Sequence, residues 1–201
     1  MGRDTGPVER LSRREGVELE LKGARLLAGK SALERRPYPP GQHGRGRQRP
    51  SEYATRLREK QRAKRFYGLR ERQFRATYDR AGGGAQMLQA LELRLDNVLY
   101  RLGFATTRAQ ARQFVVHGHI RVNDRKVNVP SSQLRPGDVV ALKPGSHAKP
   151  LALEAAALVG RVPSWLLAEH DELWGRVEHL PEHDDISAPV DEKLIIEFYA
   201  K

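Results

Sequence analysis

The chain contains no cysteine. Disulfides are therefore excluded, and so is any metal site built on thiolates. Aromatic residues make up only 6% of its 201 residues, and apolar residues 39%. A core drawn from so few large side chains is thin for the length, so part of the order is expected to come from a partner. Long apolar runs are missing as well. None approaches the roughly eighteen residues that a membrane-spanning helix needs, and no secretory leader pattern opens the chain. The expectation is a cytoplasmic protein with no membrane partner. Acidic side chains are the minority sign, 25 Asp+Glu against 36 Lys+Arg, for a net charge of +11. A balance this basic points to polyanions, nucleic acid first.

Catalytic signatures are also absent. There is no nucleophile elbow with a Ser-His-Asp order, no phosphate-cradling glycine loop and no paired-carboxylate signature. Gly82-Gly83-Gly84 lacks a following Lys-Ser/Thr and reads as a flexible break. His117 and His119 flank Gly118 with no third ligand suggested nearby, so an RNA-facing or capping pair is the better reading than a metal site. No cofactor, metal or small-molecule substrate is expected, and the chain does not read as an enzyme.

What is present is unevenly spread. Residues 1–90 carry 22 Lys+Arg and 10 Asp+Glu, residues 91–143 carry 9 and 4, and residues 144–201 carry 5 and 11. Two basic portions precede an acidic tail. Residues 1–49 are rich in Gly, Pro and Arg, and Arg35-Arg36-Pro37-Tyr38-Pro39-Pro40-Gly41-Gln42-His43-Gly44-Arg45-Gly46-Arg47 prevents regular helix. By composition this stretch is either a disordered tail or an arm that folds onto RNA. In the second case Arg13, Arg14, Arg35, Arg36, Arg45, Arg47 and Arg49 reach phosphates, and Tyr38 and His43 stack on bases.

Ser51 is a helix cap for a segment running to about Tyr67. Its apolar positions are sparse (Tyr53, Ala54, Leu57, Ala63, Phe66), and Arg56, Arg58, Lys60, Arg62, Lys64 and Arg65 face two acids, Glu52 and Glu59. Pairing along the helix cannot neutralise that excess, so a phosphate-facing surface is expected. A second helix, about 69–80, puts Phe74 and Tyr78 on one stripe and Arg72 elsewhere. From Met87 through Leu91, Leu95, Val98, Leu99 and Leu102 the spacing predicts one continuous helix ending at Gly103. Thr107 with Gln110 predicts a capping box, and a helix from Arg108 that exposes Arg108 and Arg112. Ile120 and Val122 predict a strand carrying Arg121, Asn123-Asp124 a turn, Val127 and Val129 a second strand, and Val139–Leu142 a third. Leu151–Val159 reads as helix, Trp165 as a core anchor and Arg176–Leu180 as a strand. Residues 190–199 suit a short helix capped near Asp191, though Ile195-Ile196 suits a strand equally.

Arg94-Leu95-Asp96-Asn97-Val98, Thr107-Arg108, Ala111-Arg112-Gln113 and His117 through Asn123 together resemble the S-four RNA-binding domain. Gly6-Pro7, Ser12-Arg13-Arg14-Glu15-Gly16, Pro39-Gly41-Gln42-His43-Gly44, Tyr53 and Leu57 through Gln61, and Tyr67-Gly68 resemble the amino-terminal domain of the bacterial small ribosomal subunit protein four family. One departure is Asp124, where the family usually has Gly. Another lies at Glu9, Ser12, Leu26 and Ser31, where many relatives carry four zinc-binding cysteines. The metal reads as lost, with Val17, Leu19, Leu21, Leu26 and Leu27, or RNA, holding the loop instead.

The resemblance implies an α+β protein. A mostly helical domain, 1–90 with an arm at 1–49, is completed by the segment 181–201, whose residues 190–199 then form a helix, and a small helix-helix-β-hairpin S-four domain with its extension occupies 91–180. It implies a structural constituent of the small ribosomal subunit, a primary assembly protein at a helix junction in the 5′ domain of 16S rRNA, with a role in translational accuracy. The alternative is an RNA-modifying enzyme or stress protein that borrows the S-four domain, but 58 residues after Lys143 and 90 before Leu91 leave no room for a catalytic core. The candidate RNA contacts are then the arm residues above with Tyr53, Lys60, Lys64, Arg65, Arg72, Arg108, Arg112, His117, His119 and Arg121. Ribosomal proteins three and five are the neighbours the resemblance implies, and Glu192 and Glu197, facing outward from the tail, are the candidates for contact with protein five.

Overall fold

In a computed structural model, which describes residues 6–23, 25, 28–46, 49–158 and 160–200, the chain forms two compact units. The first comprises Met1–Leu88 with Ser187–Lys201, and the second Gln89–Ile186. The first is helical and the second carries a small antiparallel sheet, so the protein is α+β.

In the first unit, α1 (Glu9–Glu15) and α2 (Ala32–Arg35) precede the long α3 (Glu52–Phe66). Then come α4 (Glu71–Ala81) and the start of α5 (Gly84–Glu92). Ser51 caps α3 by accepting from the Ala54 N–H at 3.2 Å, as its position predicts. Leu19, Ala63, Phe66, Phe74 and Met87 are fully buried and form the small interior. The carboxyl-terminal α9 (Glu192–Tyr199) packs on α3, which settles helix against strand for 190–199. Asp191 caps it through the Lys193 N–H at 2.9 Å, and Ile195 is fully buried. Gly82-Gly83-Gly84 is a break for only two of its residues. Gly84 begins α5, and a Cβ there would stand 2.8 Å from Ile196 Cδ1.

The second unit begins in α5 and continues with α6 (Leu95–Arg101), α7 (Arg108–Val116), β1 (Ile120–Val122), β2 (Arg125–Lys126) and β3 (Val139–Leu142). It is completed by α8 (Lys149–Leu158), β4 (Leu166–Glu169), β5 (Trp174–Val177) and a 3-10 turn at His183–Asp185. The single helix expected through Met87–Leu102 is in fact two. Arg94 is extended (φ −68°, ψ 137°), and the backbone groups freed at the break bond to a distant loop. The Leu95 N–H donates to Ser132 O (2.9 Å), Asp96 N–H to Pro130 O (3.1 Å) and Leu134 N–H to Leu93 O (2.9 Å).

Thr107 caps α7 by accepting from the Gln110 N–H, but the Gln110 side chain accepts from the Thr106 N–H and hydroxyl instead of closing the expected box. Asn123 and Asp124 both hold positive φ (47° and 61°), the geometry of a tight two-residue hairpin turn. The strand after it ends at Lys126, and Val129 is half exposed.

The sheet has the order β2-β1-β3-β5-β4, all antiparallel. The last two strands extend the expected hairpin. β4 was not anticipated, and β5 lies at Trp174–Val177, earlier than the 176–180 expected. Gly175 is required in β5, because a Cβ would stand 2.4 Å from Leu102 Cδ2 and 2.7 Å from Leu167 O. Trp165, fully buried, anchors a core with Leu95, Leu99, Leu102, Phe104 and Ile120. No helix among the described residues is long and apolar enough to cross a membrane.

Candidate nucleic-acid interface

The arm is organised by its arginines. Arg13 Nε donates to the carbonyls of Arg36 (3.2 Å) and Tyr38 (3.1 Å), and Arg14 donates to Pro40 O at 2.9 Å. The Arg13 and Arg45 guanidiniums lie 5.0 and 4.8 Å from the centroid of the Tyr38 ring, and Arg45 also donates to its hydroxyl at 3.2 Å. That hydrogen bond holds the Tyr38 phenol below its ordinary pKa. The loop beyond Pro39 is wound so tightly that a Cβ on Gly44 would meet Pro39 O at 1.9 Å. Arg35, Arg36, His43, Arg45 and Arg49 are exposed, whereas Tyr38 is taken up by the two guanidiniums and is not laid open as a base platform. Arg47 lies outside the described residues.

Of the positions expected to have lost metal ligands, the three described ones are held by polar contacts. Ser12 and Ser31 both donate to one carboxylate, that of Glu18, at 3.3 and 2.6 Å, while Glu9 pairs with Arg25 at 2.9 Å. Leu26, like Leu27, lies outside the described residues. Leu19 is fully buried beneath this closure, with Val17 and Leu21 half-buried. Among the described residues no cluster of three or more His, Cys, Asp or Glu could hold a metal ion.

The cationic face expected along α3 is largely turned inward. Lys60 is only 4% exposed, donates to Glu71 at 2.7 Å and lies 4.7 Å over the Phe198 ring. Lys64 shares Glu71 at 3.3 Å. Arg65 and Arg58 bond to Glu15, Arg62 pairs with Glu59 at 2.8 Å, and Arg56 pairs with Glu197 at 2.7 Å. Burial pushes the Glu15 carboxyl above its usual range, against the pull of the arginines around it. Burial acts likewise on Glu71, but Lys60 and Lys64 bring it below its ordinary value. Charges that looked unbalanced along one helix are balanced by acids from α1, α4 and α9. Lys60, Lys64 and Arg65 therefore hold the unit together. Tyr53, 57% exposed, and Arg72, exposed on α4, remain on the surface.

In the second unit Arg108 and Arg112 are not the exposed pair expected. Arg108 is 7% exposed, donates to Asn97 Oδ1 at 2.8 Å and stacks over Tyr100 at 4.3 Å. Arg112 donates to Asp96 at 3.0 Å, and Arg94 grips the same carboxylate with two bonds. Asn97 in turn bonds to Glu92, which Arg101 holds with two bonds of 2.9 and 2.7 Å. Arg121 is half-buried on β1. His117 is exposed and meets Gln113 at 2.7 Å, and His119 Nδ1 lies 2.9 Å from Ser146 Oγ. Sequence reasoning passed over Arg125 and Lys126, both exposed on the edge strand β2. Their signal was their place directly after the hairpin turn.

In the tail, Glu197 is half exposed but tied to Arg56. Glu192 is half-buried, its Cβ 3.2 Å from where a Cβ on Gly84 would stand, so it does not face freely outward.

The profile of the ribosomal protein S4/S9 N-terminal domain matches residues 3–99, and that of the S4 domain matches residues 93–140. Over 206 aligned residues, covering all of both chains, this sequence is 50% identical to small ribosomal subunit protein uS4 of Rubrobacter xylanophilus. It is 53% identical over 207 residues to uS4 of Gloeobacter violaceus and 52% over 209 to uS4 of Thermus thermophilus, again with full coverage of both chains. The chain belongs to the uS4 family. uS4 proteins are ribosomal structural proteins of the small subunit and not enzymes, which removes the RNA-modifying alternative.

Proposed function

We propose that this protein binds 16S rRNA as a primary assembly component, holding a helix junction of the 5′ domain on the cytoplasmic small subunit. It then lies beside ribosomal proteins three and five and contributes to translational accuracy, with Glu197 the better placed of the two tail acids for a protein contact. The observation that carries this reading is where the charge resides. The first unit holds 24 Lys+Arg and 13 Asp+Glu, a net of +11, while the second holds 12 of each. The exposed Arg35, Arg36, Arg49 and Arg72 of the first unit and Arg125 and Lys126 of the second are suited to phosphates. Such contacts register the backbone of converging helices and so read shape rather than base sequence.

Filter binding with a 5′-domain rRNA fragment against a 3′-domain fragment of equal length tests this across a salt titration. The 5′ fragment is expected to bind tighter. Arg49→Ala with Arg72→Ala should reduce the log-log salt slope by about 0.9 per lost phosphate contact. Arg108→Ala should lower stability and leave the slope alone. Equal affinity for the two fragments would overturn the reading.

A further inference from the structure

We infer that the hollow between α1 and α2 is a seat for a single backbone phosphate of the bound RNA. The inference rests on the rRNA-binding reading above and names the contact point. Arg10, Arg13, Arg35 and Arg36 line a pocket of about 190 Å³, together with Pro7 and, among the described residues, a single acid, Glu9. Glu9 also pairs with Arg25 at 2.9 Å, so it offsets only part of the charge of the four arginines. Four arginines lining one hollow concentrate positive charge there, which a bound anion relieves. The guanidinium fork matches phosphate oxygens two at a time.

The walls are fixed in advance. Arg13 Nε is tied to the carbonyls of Arg36 and Tyr38, which uses one of its five N–H donors and pins the end of α2 to α1. Ser31 caps α2 through the Leu33 N–H at 3.1 Å and donates to Glu18 at 2.6 Å. A preorganised cluster of this kind spends little ordering entropy on binding.

Size selects the ligand. The pocket is below the roughly 300 Å³ at which small-molecule and cofactor sites begin, so it suits a phosphodiester group and not a whole nucleotide. Arg10 also lines a second hollow of about 250 Å³ with Arg14 and Arg65, so it is the arginine common to both linings. Arg10 had no place among the contacts expected from the sequence.

The test uses the full-length protein. Arg10→Gln with Arg35→Gln should weaken binding to the 5′-domain fragment on the order of tenfold and lower the salt slope by about one unit, the loss of one phosphate. Glu9→Gln should do the reverse, raising affinity severalfold by removing a carboxylate from the pocket lining and releasing Arg25 from its pair. Inorganic phosphate titrated into the free protein should shift the Arg10, Arg13, Arg35 and Arg36 Nε–H resonances before other arginines. If wild type binds the fragment but the double variant keeps its affinity and slope, the seat is wrong and the rRNA reading stands. If wild type does not prefer the fragment, the rRNA reading falls, and the phosphate titration still decides on the pocket. Should the double variant fail to fold, unchanged or weaker binding by Glu9→Gln overturns the inference.

Discussion

The two units use arginine in opposite ways. Among the described residues the first buries nine apolar side chains and the second twenty-two. With little interior, the first unit is laced together by ion pairs between helices, several of them partly exposed, and its surplus of cations stays at the surface. The second unit has an apolar core, and its arginines Arg94, Arg101 and Arg108 are drawn inside it by Asp96, Glu92 and Asn97. One unit therefore keeps a surplus of surface cations, while the other commits Arg94, Arg101 and Arg108 to fixing its own shape and leaves Arg125 and Lys126 exposed. Net charge of the whole chain hides this division.

The largest effect is expected at Glu92, 1% exposed and bonded to Asn97 and twice to Arg101. Glu92→Ala leaves a buried guanidinium without its carboxylate, and breaking such a pair costs about 3–5 kcal/mol. Hydrogen exchange should show the second unit opening more readily, with amides of α6 such as Val98 and Leu99 losing protection, while α3 amides keep theirs. If α6 protection is unchanged, the buried network does not hold this unit and the contrast between the units collapses.

How far the sequence discloses this follows from range. The caps at Ser51 and Asp191 and the Asn123-Asp124 turn were legible because each is decided within a few residues. The break at Arg94 was not, since the carbonyls that replace its helical bonds belong to Pro130 and Ser132. The α3 cations were misread for the same reason. Counting acids within the helix omitted Glu15, Glu71 and Glu197, which reach them from other helices. At the interface the exposed arm arginines were legible from composition, whereas Arg108 and Arg112 carry the same residue type in a buried setting that only the position of Asn97 and Asp96 reveals. Glu18 gave no signal at all, because a glutamate closing two serines looks like any surface acid until the fold joins them.

A smaller effect is expected where the tail closes the first unit. Ile195 is fully buried against α3, flanked by the Arg56–Glu197 pair and by Tyr199 donating to Glu71 at 3.2 Å. Burial and the Glu71 charge together push the Tyr199 phenol well up, so it stays protonated and donating. Ile195→Ala should cost about 2–3 kcal/mol, the low end for such truncations because Leu194 and Phe198 beside it are only half-buried. Urea unfolding checks the cost, and rRNA affinity should fall with it once the first unit begins to open. A stable variant would mean the tail lies on the unit without supporting it.

The smallest effect brings charge back into the second unit. His119 has its imidazole pKa lowered from the ordinary 6.5, first by burial and then by the nearby positive charges of His117, His147 and Lys143. A base whose folded pKa lies below its unfolded value binds fewer protons folded than unfolded throughout the interval between the two. Stability from this group is therefore fully present above about pH 6.5 and declines as pH falls through that interval toward the folded value. The ring is only partly buried, so the slope is shallow, and it should be visible only as a difference. Thermal unfolding of wild type and His119→Gln from pH 7.5 to 5 should give melting temperatures that converge on the acid side, because the variant has no proton to take up. Parallel curves would mean that the three histidines and Lys143 are screened from one another, and that the second unit is as indifferent to its surface charge as its net of zero suggests.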